Sequence, residues 1–151
     1  MVLPVLALLA RFSLAGVLLA SGTIKLLDPD GSVRAVRAYR LLPGVLADVV
    51  GYGLPVVEVG LGLLLLVGLS VRLAAIASGL LMLVFVLGIA SAWARGLSID
   101  CGCFGGGGDV APGTASYVGP LLRDTGLLLA AGFLAVRPRT PWTLDARLEN
   151  R

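Results

Sequence analysis

The stretch from Val71 to Arg95, VRLAAIASGLLMLVFVLGIASAWAR, carries no charge between Arg72 and Arg95. At about 1.5 Å per helical residue, its uncharged part reaches roughly 33 Å, enough to cross a hydrocarbon core of about 30 Å. Backbone groups in lipid must satisfy one another, so such a stretch folds as a helix. A transmembrane β-strand would be about ten residues long with alternating polarity, and this stretch does not alternate. Three further apolar segments flank it. The first runs from about Leu3 to Leu27, with Arg11 and Lys25 inside it. The second runs from about Val45 to Leu69 and holds Glu58 deep within it. The last runs from about Tyr117 to Val136, with Arg123 and Asp124 near its start.

Composition points to the same solvent. Of 151 residues, 58% are hydrophobic and 14% are charged, and the mean hydropathy is +0.98. A soluble domain is about 45–50% apolar and about 25% charged. A cytosolic enzyme, a nucleic-acid module and a disordered linker are therefore excluded, and membrane lipid is the expected surrounding. The net charge of +3 is small and the arginines are scattered, so no nucleic-acid partner is expected. Histidine is absent, which removes Ser-His-Asp, Cys-His and His-metal chemistry from this chain.

The fold class is an all-α membrane protein, a four-transmembrane-helix antiparallel bundle. Residues 1–136 form one domain with spans at about 3–27, 45–69, 71–94 and 117–136. Residues 137–151 form a polar tail with Pro138 and Pro141 that is expected to fray. The first segment reads as a retained helix rather than a signal peptide. Its first ten residues lack a basic side chain and Arg11 lies within the apolar run, the reverse of a signal peptide. Between spans one and two, Gly31 to Leu42 reads as a short interfacial amphipathic helix. Ala35, Val36, Ala38, Tyr39 and Leu42 lie on one side, and Arg34, Arg37 and Arg40 on the other. Asp28-Pro29-Asp30-Gly31 is the turn into it and Pro43 closes it. Gly51, Gly53, Gly60, Gly62, Gly68, Gly79 and Gly88 are expected to let helices approach closely. Pro55 is expected to kink span two or lie in its first turns, because its ring clashes with the carbonyl of Gly51.

Four spans place both termini on one side and the cysteine loop on the other. Basic residues are nearly balanced between the sides: Arg72, Arg137, Arg139 and Arg147 near one, with Lys25, Arg34, Arg37, Arg40 and Arg95 near the other. The positive-inside rule does not decide between them. Disulfide chemistry belongs outside the cytosol. A redox role for the cysteines therefore implies a multi-pass cell-membrane protein with cytoplasmic termini and an extracytoplasmic cysteine loop.

That loop contains the only two cysteines of the chain, Cys101 and Cys103, separated by Gly102 and followed by Gly105 to Gly108. Three readings stand side by side. A dithiol/disulfide couple would close a very small, strained ring, and strained disulfides are the labile ones. Gly102 can adopt the dihedrals that closure needs. Arg95 would favour a thiolate and Asp100 would oppose it. Alternatively, two thiolates are half of a tetrahedral metal site that a dimer could complete. A plain tight turn is the third reading.

Asp100-Cys101-Gly102-Cys103-Phe104-Gly105 resembles the signature of the MauE branch of the DoxX-like membrane proteins, the methylamine-utilisation branch. Ser21-Gly22 with Lys25, Tyr39-Arg40-Leu41-Leu42-Pro43, Pro55 followed by Glu58, and Arg123 are similar to that family's other features. The resemblance covers about residues 5 to 136. It implies a redox-associated membrane protein that accompanies an extracytoplasmic thioredoxin-like partner and supports disulfide formation or thiol redox balance. The architecture also resembles disulfide-generating membrane oxidoreductases that reduce quinone, which makes a quinone the candidate electron acceptor. Those enzymes carry two cysteine pairs, whereas this chain has one.

Cys101 and Cys103 are thus the candidate catalytic couple, with Glu58, Lys25, Arg123 and Asp100 in support. Glu58 lies near mid-bilayer, where an ionisable group is usually paired or functional. Lys25, Arg11 and Arg123 are its candidate partners. It reads as a helix-to-helix clamp or as a proton carrier. Arg123 and Asp124 either snorkel to the interface or lie beneath the cysteine loop. Two rival functions are a non-catalytic scaffold for a redox partner and a thiolate-based metal or small-solute carrier.

Overall fold

A computed structural model of the chain describes residues 2–137, 140 and 142–149. Pro138, Arg139, Pro141 and Arg151 lie outside the described residues. Among the described residues, six helices and one small hairpin follow in the order α1 (Val2–Leu27), α2 (Pro29–Ala38), α3 (Gly44–Val67), α4 (Val71–Ala94), β1 (Ile99–Asp100), β2 (Gly108–Asp109), α5 (Val118–Val136) and α6 (Leu144–Glu149). Four of the helices, α1, α3, α4 and α5, are long and apolar enough to cross a membrane. Their limits fall within one or two residues of those read from hydropathy. This is an all-α, multi-pass membrane bundle.

Packing is uneven around the bundle. α1 lies chiefly against α3, and α4 against α5, while α1 and α5 join the two pairs. α3 and α4 touch much less. The core runs through Leu14, Leu18, Leu65, Met82, Leu127 and Leu134. Outward-facing Leu and Val side chains are exposed along every span, as lipid-facing surfaces require.

Small residues set the tight crossings at some positions and not at others. A Cβ at Gly22 would lie 2.8 Å from Val59 Cγ2 and 3.0 Å from Glu58 Cβ, so α1 meets α3 closely there. Gly51 faces Val33 of α2 and Gly62 faces Leu19 in the same way. Gly53 and Gly60 have no neighbour there within 4 Å and make no such contact. Gly68 serves a different end, closing α3 in the left-handed conformation at φ +75°.

Pro55 lies buried inside α3, and the helix continues across it. Proline has no N–H for the carbonyl of Gly51, four residues earlier. The Ser32 hydroxyl of α2 donates to that carbonyl at 2.7 Å instead. This bond and the Gly51–Val33 contact dock α2 on α3.

α2 is shorter than the stretch from Gly31 to Leu42. The Asp28 carboxylate accepts from the Gly31 amide, so Asp28 is its N-cap and Pro29 its first residue. What read as a turn is the helix start. The helix stops at Ala38 because Arg40 adopts φ 52°, and Leu42 is exposed rather than part of the buried face. On its outer side Arg37 forms a two-point ion pair with Asp48 near the start of α3, with both hydrogen bonds at 2.7 Å.

Of the polar tail expected at residues 137–151, the described part includes Thr140 and the short helix α6. α6 folds back under the α3–α4 connection. Asp145 accepts from the amides of Ser70 and Val71 at 2.8 and 3.1 Å and so satisfies the start of α4. Thr140 accepts from Arg11 at 3.0 Å. Arg11 also donates to the carbonyls of Leu66 and Trp142.

Candidate functional site

At the other end of the bundle, the segment between α4 and α5 is anchored before it reaches the cysteines. Ile99 is buried with Ala38 and Ala92, and Leu97, Tyr39 and Tyr117 pack around them. The Tyr117 hydroxyl donates to the Leu97 carbonyl. Trp93 stacks on Tyr117 at 6.1 Å. β1 and β2 then pair antiparallel, Ile99 opposite Asp109 and Asp100 opposite Gly108.

The glycines on this hairpin fold it down rather than hold it out. Gly102 and Gly107 adopt φ +66° and +83°, and a Cβ on either would lie 2.5 Å from the Ala35 methyl of α2. Only glycine accommodates both the dihedral and the contact. The loop therefore rests on α2, with Cys103 buried and Cys101 partly exposed. Both are free thiols.

The two thiols differ in character. Cys101 is lowered to about 6, chiefly by the hydrogen bond from the Cys103 thiol; burial acts against this and the Arg123 charge adds to it. Cys103 is pushed well above the usual thiol range by that same hydrogen bond and by burial. Its thiol also lies 3.9 Å from the Cys101 carbonyl. The outer sulfur is therefore the more acidic of the pair. The cation concerned is Arg123, not Arg95. Arg95 is turned away, donating to the Tyr39 carbonyl and to Ser91. Asp100 is exposed and accepts from the Gly102 amide at 3.5 Å, which places it at the rim of the loop.

Beneath the loop, charged side chains from three spans converge. Lys25 Nζ of α1 donates to Glu58 Oε1 of α3 at 2.7 Å, with both side chains buried. Of the three partners considered for Glu58, Lys25 is the one in contact; Arg11 goes to the opposite end and Arg123 to Asp124. The Ser21 hydroxyl lies 3.2 Å from Glu58 Oε1 and 2.5 Å from the Cys103 carbonyl. Its single proton links the ion pair to the cysteine backbone. Arg123 of α5 donates to Asp124 Oδ1 at 2.8 Å and lies 4.7 Å over the Phe104 ring. Arg123 and Asp124 thus sit under the loop rather than snorkelling away from it. Tyr39 donates to the Cys101 carbonyl at 3.3 Å, and burial pushes its phenol up, well out of the titrating range.

Two cavities adjoin the sulfurs. A pocket of about 10 Å³ is lined by Ser21, Glu58, Cys103, Phe104, Arg123 and Asp124. A cleft of about 340 Å³ is lined by α2, α3, α4 and the cysteine loop, Val50, Val84 and Phe85 among its apolar walls and Lys25, Cys101 and Cys103 also on it.

Sequence reasoning marked Lys25, Glu58, Arg123 and both cysteines, and the structure brings these five to one end of the bundle. It did not single out Ser21, Tyr39 or Asp124 as site residues. The signal for Asp124 was an acid inside an apolar span, masked by the adjacent Arg123. Ser21 and Tyr39 carry no charge and fit ordinary helix packing.

Comparison with known proteins covers nearly the whole chain. Residues 3–137 match the family described as methylamine utilisation protein MauE. The methylamine utilization protein MauE of Paracoccus denitrificans is 34% identical over 146 residues, 96% of this chain and 75% of that protein. The protein of the same name from Methylophilus methylotrophus is 40% identical over 102 residues, 66% of this chain and 53% of that protein. The chain thus spans about three quarters of one relative and about half of the other. No solved structure matches it.

Proposed function

Starting from a chain that belongs to the MauE family of membrane proteins, we propose that it is a membrane thiol–disulfide redox protein serving methylamine utilisation, as its relatives' names indicate. The observation that carries this reading is the arrangement of the dithiol: a partly exposed Cys101, the more acidic of the two, beside a buried Cys103. Only a thiolate attacks or is readily displaced from a disulfide. The outer sulfur is the one a thioredoxin-like partner can reach, and the inner sulfur is its resolving thiol. Oxidation joins the two sulfurs, removes two electrons and releases the Cys103 proton. On this reading the loop is extracytoplasmic and both termini are cytoplasmic, since disulfides persist outside the cytosol.

One pair cannot relay electrons between two dithiols, so turnover requires an acceptor next to the sulfurs. The cleft beside the cysteine loop fits a quinone in lining and size. Its walls are apolar, its volume of about 340 Å³ lies in the range of small-molecule sites, and Cys101, Cys103 and Lys25 also line it. When bound, a quinone would supply a two-electron oxidant for the dithiol. Val50, Val84 and Phe85 would hold it, and Lys25 offers a donor to a carbonyl oxygen.

Thiol trapping in intact membranes with a membrane-impermeant maleimide tests the redox reading. Labelling of the partly exposed Cys101 only after reduction, and from the outside, is the expected result. Labelling without reduction, even after an oxidant challenge, would overturn it and favour the scaffold.

A further inference from the structure

We propose that Glu58 and Asp124 together form a buried proton-holding site for Cys103, storing one proton while the disulfide is closed and handing it to the sulfur when the disulfide opens. This rests on the thiol–disulfide reading above.

The two acids reach the same place from different spans, Glu58 from α3 and Asp124 from α5. They are 0% and 1% exposed. In each, one oxygen is held by a cation: Glu58 Oε1 by Lys25 at 2.7 Å, and Asp124 Oδ1 by Arg123 at 2.8 Å. In each, the other oxygen, Glu58 Oε2 and Asp124 Oδ2, is buried without a hydrogen-bond partner among the described residues. Both residues line the pocket of about 10 Å³, and Cys103 is its third wall. Such a volume has room for about one water. A bare buried carboxylate oxygen is costly, and two facing one small space cost more. One proton shared between them removes most of that cost. No other titratable side chain except Arg123 lines the pocket, and its guanidinium stays charged.

The chemistry balances as follows. A partner dithiol attacks the Cys101–Cys103 disulfide at Cys101, and the electron pair of the broken S–S bond leaves on Cys103. The second partner sulfur then displaces Cys101 as a thiolate. The partner is oxidised by two electrons and releases its two thiol protons to the aqueous side. Cys103, buried beneath the loop, takes the one held by the acid pair. Oxidation of the dithiol returns it.

Redox-difference infrared spectroscopy on the full chain in lipid nanodiscs tests this. Samples are driven to each end state with excess diamide or dithiothreitol, and thiol trapping confirms the state reached. The expected result is a protonated-carboxyl C=O band in the disulfide state that shifts in D2O and disappears on reduction. Selective ¹³C labelling of aspartate or of glutamate should shift it, and Glu58→Gln or Asp124→Asn should remove or displace it. The labelling assigns the band even if a variant fails to fold. A pair that cycles fully with no carboxyl band, or with a band unmoved by both labels, overturns the acid site and leaves the redox reading standing. Cysteines that never form a disulfide overturn both.

Discussion

Arg11 and Lys25 are carried by the same helix, α1, and are buried almost alike, at 1% and 5% exposure. They nevertheless do different things. Arg11 is met by the Thr140 hydroxyl and the backbone carbonyls of Leu66 and Trp142, which bind the tail to the bundle. Lys25 is met by the carboxylate of Glu58, whose other oxygen is buried without a partner among the described residues and which lines the cavity beneath the cysteines. A guanidinium with several donors suits scattered neutral oxygens. An ammonium on one carboxylate oxygen leaves the second available. The same helix thus fastens one end of the molecule and arranges charge for chemistry at the other.

The largest effect that sharpens this contrast is at the sulfurs. Cys101→Ser should abolish exchange with a dithiol partner and Cys103→Ser should arrest it at the mixed disulfide on Cys101, read by mixed-disulfide trapping, while the helical circular dichroism is unchanged. Exchange that survives in both variants would assign the cysteine end a scaffold role. Next, Lys25→Met strands the buried Glu58 charge and should cost about 3–5 kcal/mol in unfolding from mixed micelles. Arg11→Met removes hydrogen bonds to neutral oxygens and should cost less, about 1–3 kcal/mol, while exchange at Cys101 persists. Equal losses of exchange in these two variants would erase the distinction between the ends.

Alkylation kinetics probe the cysteine end more finely. The thiolate is the nucleophile, so Cys101 labelling should rise with pH to half its maximum near about 6 and fall away below it. Arg123→Gln removes a charge that favours the thiolate and should move that midpoint upward. The smallest effect belongs to the tail. Asp145→Asn weakens the cap on α4 and should cost about 1 kcal/mol, with no change in the alkylation profile.

The spans were legible because each is an apolar run long enough to cross lipid, and hydropathy reports that directly. The convergence at the cysteine end was half legible. Intramembrane Glu58 and Lys25 are conspicuous in a chain this apolar, but three cations competed for one acid and only packing selects Lys25. Asp124 was obscured because an Arg–Asp pair at the start of a span also suits an interface. The contact at Asp145 was not legible for a related reason: polarity marks residues 137–151 as lying outside lipid, but it does not reveal that Asp145 finds the open amides of α4. α2 was placed correctly and drawn too long, because the left-handed turn at Arg40 falls on a residue with no special liking for it.

Pro55 lies well inside α3, whereas the sulfurs lie in the loop beyond α4. The amide that proline lacks leaves Gly51 with a spare acceptor, Ser32 of α2 takes it, and α2 is the floor on which Gly102 and Gly107 rest. The seat of the sulfurs on α2 is therefore registered by an imino acid in another segment, through a single hydroxyl and the thickness of the Ala35 methyl. Changing the methyl would raise or lower the redox loop as a shim would, without touching a cysteine or a charge.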